Sequence, residues 1–499
     1  MSGRGKISSS LATLCLVGVV FTAFAMTLLT YGDLWLVPWH DEVVLVRLAQ
    51  NLAEGRGFRN DLIDDLIVGA GERTYWQMPL YPFSLSLWGK LFGFDLNSVR
   101  GFSRIFGLAS LLLVFWLGRN LNLPSLAVFL ATLWTATDLA FQFSSNFARP
   151  DVLTGFFLLL MAVLLARGFQ EVFAGSILIG SVASLAVFNH PIAFPSWLVV
   201  FAAIVKRSGW RNGLFFALPF LLLASLWFLY ALQGWEIFLA QMKAHLSHKR
   251  YSLSDFLAFL TGLTAWGTEF YIGVPLNAIP PLLPLVMTAY VCLREKWLVP
   301  KWFLVFATVL YVSVMVGAEA WYPMLFVPFG YLMLAAFLNH LLQKVDTKFG
   351  QLALVFLALL WWSYQVSVVV RHISAVPKIR LQVANFISDL ERSLPPKAKV
   401  LVGSFSPDPT FALMRNRPDI KVYALMPQRM LNADALKVLK TQLTHMVLLR
   451  EATAEPIFAG REIKRWEFDF GGLSRDKKIV VVLLSVNQRR NDSVSQATY

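Results

Sequence analysis

The sequence predicts a polytopic α-helical membrane protein of about eleven transmembrane helices, with helices lying along the membrane surface and a small C-terminal α/β domain outside it. Three observations predict this. The mean hydropathy is +0.59, with 57% hydrophobic and only 15% charged residues, a balance that soluble globular chains do not reach. Apolar runs of about 20 residues recur along most of the chain, each long enough to cross the hydrocarbon core. The charges that remain collect between those runs, with basic residues in every second connection.

The runs place spans at roughly 10–31, 101–118, 123–143, 152–167, 172–189, 191–206, 212–232, 274–293, 302–318, 323–341 and 350–370. One set of connections carries Arg4 and Lys6, Arg119, Arg167, Lys206 with Arg207 and Arg211, Arg294 with Lys296 and Lys301, and Lys344 with Lys348. Positive charge is retained on the cytoplasmic side, so the N-terminus is expected there. An odd number of spans then puts the C-terminal region outside. The 17 Trp and 41 Phe suit lipid-facing and interfacial positions, where amphipathic rings settle. Both cysteines, Cys15 and Cys292, fall inside spans, so neither a disulfide nor a thiolate metal site is implied. The net charge of +14 follows from topology and a basic tail and does not imply a nucleic-acid partner. The first run is too long for a cleavable signal and has no small-residue cleavage site before Asp33.

Three segments face the opposite side. Residues 33–100 form the first outer loop, in which Val43 to Leu52 and Pro79 to Phe94 read as interfacial helices. Residues 233–273 hold a further such helix, Trp235 to Tyr251, rich in Lys243, His245, His248, Lys249 and Arg250. From Arg371 onward the apolar runs shorten and charges become frequent. Lys399 to Val402, Ile420 to Tyr423, His445 to Leu449 and Ile479 to Leu484 read as strands, and Pro377 to Leu394 and Ala433 to Leu443 as helices. The expected organisation is therefore a membrane module at 1–370, a small outer domain at 371–486 and a disordered tail at 487–499.

Charged and polar side chains gather at the outer ends of spans. Asp41 and Glu42 follow span one, Arg149-Pro150-Asp151 precedes span four, and Asn189-His190-Pro191 joins spans five and six. Glu269 precedes span eight, and Glu319, Trp321 and Tyr322 join spans nine and ten. If the spans bundle, these groups converge at one outer mouth, and ionisable residues at membrane depth are functional candidates. Each also has an ordinary reading: an ion pair between helices for Arg149 and Asp151, a loop histidine for His190, and an aromatic anchor for Tyr322. The chain has no HExxH, P-loop or Cys/His cluster, so protease, nucleotide and zinc chemistry lack support.

The order of these groups resembles a known pattern. Asp41-Glu42 is followed by Tyr75-Trp76-Gln77-Met78-Pro79-Leu80-Tyr81-Pro82, then by Leu87-Trp88-Gly89-Lys90-Leu91-Phe92-Gly93. Next come Val99-Arg100-Gly101-Phe102-Ser103-Arg104-Ile105-Phe106-Gly107 and Ala148-Arg149-Pro150-Asp151. The sequence from about residue 30 to 340 resembles the GT-C glycosyltransferases related to protein O-mannosyltransferases and lipid A aminoarabinose transferases. The resemblance implies a polyprenyl-phosphate-linked sugar donor, an inverting transfer outside the membrane, and a glycan, lipid or protein hydroxyl as acceptor. It makes Asp41 the acceptor's base, with Glu42 orienting it. Asp151 matches the second acidic position, Arg149 its cationic neighbour, and His190 a basic position able to meet phosphate. Where the family often reads Glu-Lys-Pro-Pro, this chain has Gln77-Met78-Pro79, so Arg73, His190 or Arg149 would replace the usual phosphate-facing lysine. Gln77, Glu269, Glu319 and Tyr322 complete the expected substrate-binding set.

The chemistry requires such groups. A lipid phosphate leaves as an anion and needs cations beside it, and the acceptor hydroxyl needs a carboxylate to take its proton. A divalent cation, Mg or Mn, is compatible with part of the cationic role. Two other classes fit some of the same features: a transporter or flippase of lipid-linked substrates, and a catalytically retired relative serving as an assembly subunit. A flippase would place its charges at the bilayer midplane in inverted repeats, whereas these charges sit at one face. The compact chain is expected in a bacterial inner membrane.

Overall fold

The computed structural model describes residues 17–27, 40–64, 66–248, 289, 299–317, 322–403, 407–425, 439–450, 460–469 and 478–486. Its helices are α1 (Val17–Thr27), α2 (His40–Ala53), α3 (Leu80–Phe92), α4 (Leu96–Asn120), α5 (Ser125–Thr137), α6 (Leu139–Ser145) and α7 (Pro150–Ala166). They continue with α8 (Phe173–Asn189), α9 (Phe194–Leu232), α10 (Trp235–His248), α11 (Lys301–Gly317), α12 (Pro323–Lys344), α13 (Lys348–Ser393) and α14 (Thr410–Asn416). The chain is an integral membrane protein. Among the described residues, four apolar helical stretches are long enough to cross a bilayer: Leu96–Asn120, Pro191–Leu232, Met324–Lys344 and Lys348–Ser367. Five shorter apolar helices, α1, α5, α7, α8 and the first part of α11, stand beside them. Of the expected span at 274–293 only Ala289 is described, and the tail at 487–499 lies outside the described residues.

Most expected spans appear as helices, with two informative departures. The span expected at 123–143 is broken at Asp138, which ends α5 in extended backbone and caps α6 by accepting the Phe141 N–H at 3.1 Å. An aspartate side chain competes well for free helix-start donors, which turns one apolar run into two helices. Its other oxygen accepts the Tyr331 hydroxyl at 2.8 Å, tying the break to α12. The second departure concerns 191–206 and 212–232, joined as α9 but parted at Gly209, whose φ of 82° and ψ of 168° only glycine adopts readily. The basic turn expected at Lys206 and Arg207 is thus a sharp break between two helices.

The bundle core is contiguous and apolar, running from Leu111, Val114 and Trp134 through Leu158 and Ile179 to Phe306 and Phe329. Large apolar side chains also point outward, among them Leu221, Leu222, Phe228, Phe349, Leu352 and Phe356. That arrangement suits helices whose outer faces meet lipid rather than water. Small residues let α8 and α9 approach closely: Gly180 lies against the backbone carbonyl of Phe216, with which any Cβ would collide.

Helices form where two were expected in the first loop, as α2 and α3, and α10 takes the place of the third. Arg47 on α2 grips Asp61 through Nε–Oδ1 and Nη2–Oδ2 bonds of 2.7 and 2.5 Å, and Asn51 adds a third at 3.0 Å. Burial pushes the Asp61 carboxyl up, but the hydrogen bonds from Arg47 and Asn51 outweigh it and hold it at about 2.

The C-terminal part is a small mixed sheet, ordered β2-β1-β3-β5-β4. Its strands are β1 (Lys399–Gly403), β2 (Lys421–Ala424), β3 (His445–Leu449), β4 (Arg461–Asp469) and β5 (Lys478–Ser485). β1 pairs parallel with β2 and β3, and β5 runs antiparallel between β3 and β4. Four of the five strands coincide with the expected ones. β4 was not expected, because its alternation is masked by charges on an edge strand. The helix expected at Pro377 to Leu394 is instead the end of α13, a single 46-residue helix with Pro377 inside it. Only the end of the helix expected at Ala433 to Leu443 is described.

The sheet does not stand apart from the membrane module. Val43, Val44, Leu62, Ile63 and Ile67 of the first loop share one buried core with Val383, Phe386, Val402, Leu413 and Val447. The Ala424 N–H donates to the Leu62 carbonyl at 2.8 Å, extending β2's backbone bonding onto the loop.

Two outcomes are expected from this packing. Gly180→Ala forces α8 away from α9 and lowers thermal stability in detergent by about 1–3 kcal/mol, the usual cost of overpacking. The depressed Asp61 carboxyl contributes stability that is complete above its ordinary 3.8 and is lost as pH falls toward about 2. Melting temperatures of the unaltered chain should therefore drop across that window, and those of Asp61→Asn should drop less.

Candidate active site

The first turn of α2 presents two neighbouring carboxylates in different directions, because successive helical residues lie about 100° apart. Glu42 turns inward and is fully buried. Arg100 of α4 grips it through Nε–Oε1 and Nη2–Oε2 bonds of 2.9 and 2.7 Å, and the Ala148 N–H adds a third bond of 2.8 Å to Oε1. The Arg100 guanidinium lies over the Phe147 ring, 4.7 Å from its centroid. This is a planar two-point pair in a dry site, and it joins α2, α4 and the chain entering α7.

Asp41 turns the other way. It keeps 39% of its side chain exposed and pairs through Oδ2 with Nη1 of Arg149. Arg149 caps α7 in extended backbone, followed by Pro150 at the first helical position. Its Nε donates to Asp151 Oδ2 at 2.8 Å, and Asp151 is only 1% exposed. One guanidinium therefore bridges a buried carboxylate and an accessible one. Burial works against the Arg149 charge, but Asp151 and Asp41 outweigh it and hold its pKa above the ordinary value.

His190 and Tyr322 complete the cluster. Their rings meet edge to face at a centroid distance of 5.0 Å. His190 Nδ1 accepts the Ile192 N–H at 3.2 Å, so a neutral ring carries its proton on Nε2. The preceding Asn189 donates to the Pro150 carbonyl and the Thr154 hydroxyl, both at 2.7 Å, fixing the end of α8 against the start of α7.

The structure thus brings together Asp41, Arg149, Asp151, His190 and Tyr322, with Glu42 directly beneath them. Arg73 lies elsewhere: it donates to Gln233 at 2.6 Å and sits 5.6 Å from the Tyr230 ring centroid, at the end of α9. Gln77 is half-buried in the bend before α3. Glu269 and Glu319 lie outside the described residues. Sequence reasoning missed the work of Arg100 and Arg104, quoted only as part of a motif. Both are buried on α4 one turn apart, and Arg104 Nε donates to Asn146 Oδ1 at 3.2 Å. Two arginines at that spacing in an apolar helix were the available signal. Among the described residues, no group of three or more His, Cys, Asp or Glu side chains is placed to hold a metal ion. The positive charge between the two aspartates is that of Arg149.

No protein-family model matches the chain, and no curated protein sequence matches it. Solved structures do. ArnT from Cupriavidus metallidurans in the apo state aligns over 97% of this chain and 98% of its own, with a TM-score of 0.52 at 11% identity. The Archaeoglobus fulgidus oligosaccharyltransferase in the apo form aligns over 87% of this chain and 69% of its own, with a TM-score of 0.54 at 11% identity. A second structure of that enzyme, AglB with an inhibitory peptide and a dolichol-phosphate, aligns over 88% and 69% with a TM-score of 0.52 at 11% identity. The chain shares the fold of these ArnT and oligosaccharyltransferase structures.

The buried pair gives a stability test. Arg100→Met leaves Glu42 buried without its cation and should cost about 3–5 kcal/mol, whereas Glu42→Leu combined with Arg100→Met should recover much of that loss. Thermal unfolding of the purified single and double variants measures both.

Proposed function

We propose that the protein is an inverting glycosyltransferase that moves a sugar from a polyprenyl-phosphate donor to a hydroxyl acceptor on the extracytoplasmic side of a bacterial inner membrane. The observation that carries this reading is the pairing of the accessible Asp41 with Arg149, itself anchored to the buried Asp151. A structure of AglB, which shares the fold, is in complex with a dolichol-phosphate, and a lipid phosphate suits the cationic side of this cluster.

In this mechanism Asp41 takes the proton of the acceptor hydroxyl as its oxygen bonds to the anomeric carbon. The bond from that carbon to the phosphate oxygen breaks on the opposite face, and the polyprenyl phosphate departs as an anion. A single displacement inverts the anomeric centre and needs one carboxylate. Arg149 aims Asp41 through their ion pair, and the Nε2–H of His190 is a donor for the phosphate oxygens. Asp151 holds Arg149, and Glu42 holds the helix turn that carries Asp41. Tyr322 orients His190. The donor sugar is a hexose or pentose, and the acceptor a glycan, lipid or protein.

Asp41→Asn tests this reading. With tritium-labelled hexoses and pentoses on undecaprenyl phosphate and a panel of envelope acceptors, the unaltered chain should transfer label. The variant should lose about 10²–10⁴-fold in kcat, the usual weight of a general base, while its melting temperature and undecaprenyl phosphate binding are kept. Transfer at the normal rate by Asp41→Asn removes the base from the mechanism.

A further inference from the structure

The junction between α2 and the C-terminal sheet holds a contact that the transfer chemistry leaves unexplained. His40, the first residue of α2, directly precedes Asp41. Its Nδ1 lies 3.0 Å from Oδ2 of Asp408, across 368 residues of sequence. The two side chains are 1% and 0% exposed. Oδ1 of Asp408 accepts the Thr410 N–H at 2.8 Å, at the start of α14, so the outer domain's own backbone fixes this carboxylate. Polar groups are costly to bury unless their geometry is satisfied, and here they are buried at a contact between two parts of the fold.

We infer that Asp408 is a positioning residue for the transfer reaction: by holding His40 it fixes the first turn of α2 and so the aim of Asp41. This rests on Asp41 being the base. The first turn of a helix has backbone donors without partners inside the helix and is where helices fray. Asp41 sits in that turn between two restraints. Glu42 is anchored to Arg100 in the membrane module, and His40 is anchored to Asp408 in the outer domain. Release of the second restraint leaves the backbone that carries the base held through Glu42 alone, while its side chain stays on Arg149. A displacement of about 1 Å at a reacting group can cost 10²-fold in rate.

The test uses the full chain in lipid nanodiscs with the labelled undecaprenyl-phosphate sugar that the unaltered chain transfers. Asp408→Ala and His40→Ala should each lower kcat by about 10- to 100-fold, with KM for the donor within about 2-fold and undecaprenyl phosphate binding retained. The double variant should be no slower than either single one, because both changes remove one restraint. Asp408→Asn, which keeps the shape but exchanges one of the two oxygens for a donating amide, should regain part of the rate. The inference is overturned if Asp408→Ala keeps its kcat, if the two losses multiply, or if donor binding falls in step with rate. Should Asp408→Ala fail to fold, Asp408→Asn and Asp408→Glu decide: the inference expects the longer side chain to be slower, and equal rates overturn it. An active Asp41→Asn would sink both the base and its positioning. An inactive Asp41→Asn beside a fully active Asp408→Ala would sink the positioning alone.

Discussion

The buried pair of Glu42 and Arg100 is the constraint on which the rest of the site depends. A charge sealed from water is tolerated only where its partner meets it in good geometry, and here the fork of Arg100 meets both oxygens of Glu42. The same carboxylate takes the Ala148 N–H. Three segments distant in sequence therefore have one mutual arrangement. Because Asp41 precedes Glu42 and Arg149 follows Ala148, that arrangement brings the accessible carboxylate to its guanidinium. The pair of Asp41 and Arg149 is placed by a pair that never meets solvent.

A second constraint acts from the C-terminal sheet. The first loop cannot bury its apolar residues against the bundle alone, and it completes its core with the C-terminal sheet. Loop and sheet are consequently one packing unit, bonded also through Ala424 and Leu62. A composition shift near Arg371 marks where the chain leaves the apolar bundle, but the packing boundary does not follow it.

Much of this was legible in the sequence, for identifiable reasons. Apolar run length and the placement of lysine and arginine gave the spans, since the bilayer imposes both. The outer clustering of Asp41, Arg149, Asp151, His190 and Tyr322 followed from their positions at span ends. What could not be read was direction. Asp41 and Glu42 are adjacent and chemically alike, and only the partner on α4 decides which of them turns inward. The meeting of His40 with Asp408 is likewise a property of the folded packing, without local signature. Pro377 suggested a helix start, yet the helix runs through it, because a proline removes only a single backbone donor and the flanking turns remain bonded. The break at Asp138 shows the reverse: one capping side chain divided a run that hydropathy read as continuous.

The unbroken helix Lys348–Ser393 has a geometric consequence for the molecule's reach. At about 1.5 Å per residue, its 46 residues measure about 69 Å along the axis. The apolar first 20, Lys348–Ser367, account for about 30 Å, the thickness of the hydrocarbon layer. About 39 Å of the same rod remains to carry the sheet. The apolar bundle and the C-terminal sheet are thus joined by one continuous helix that packs into the core of both, so the two cannot turn independently.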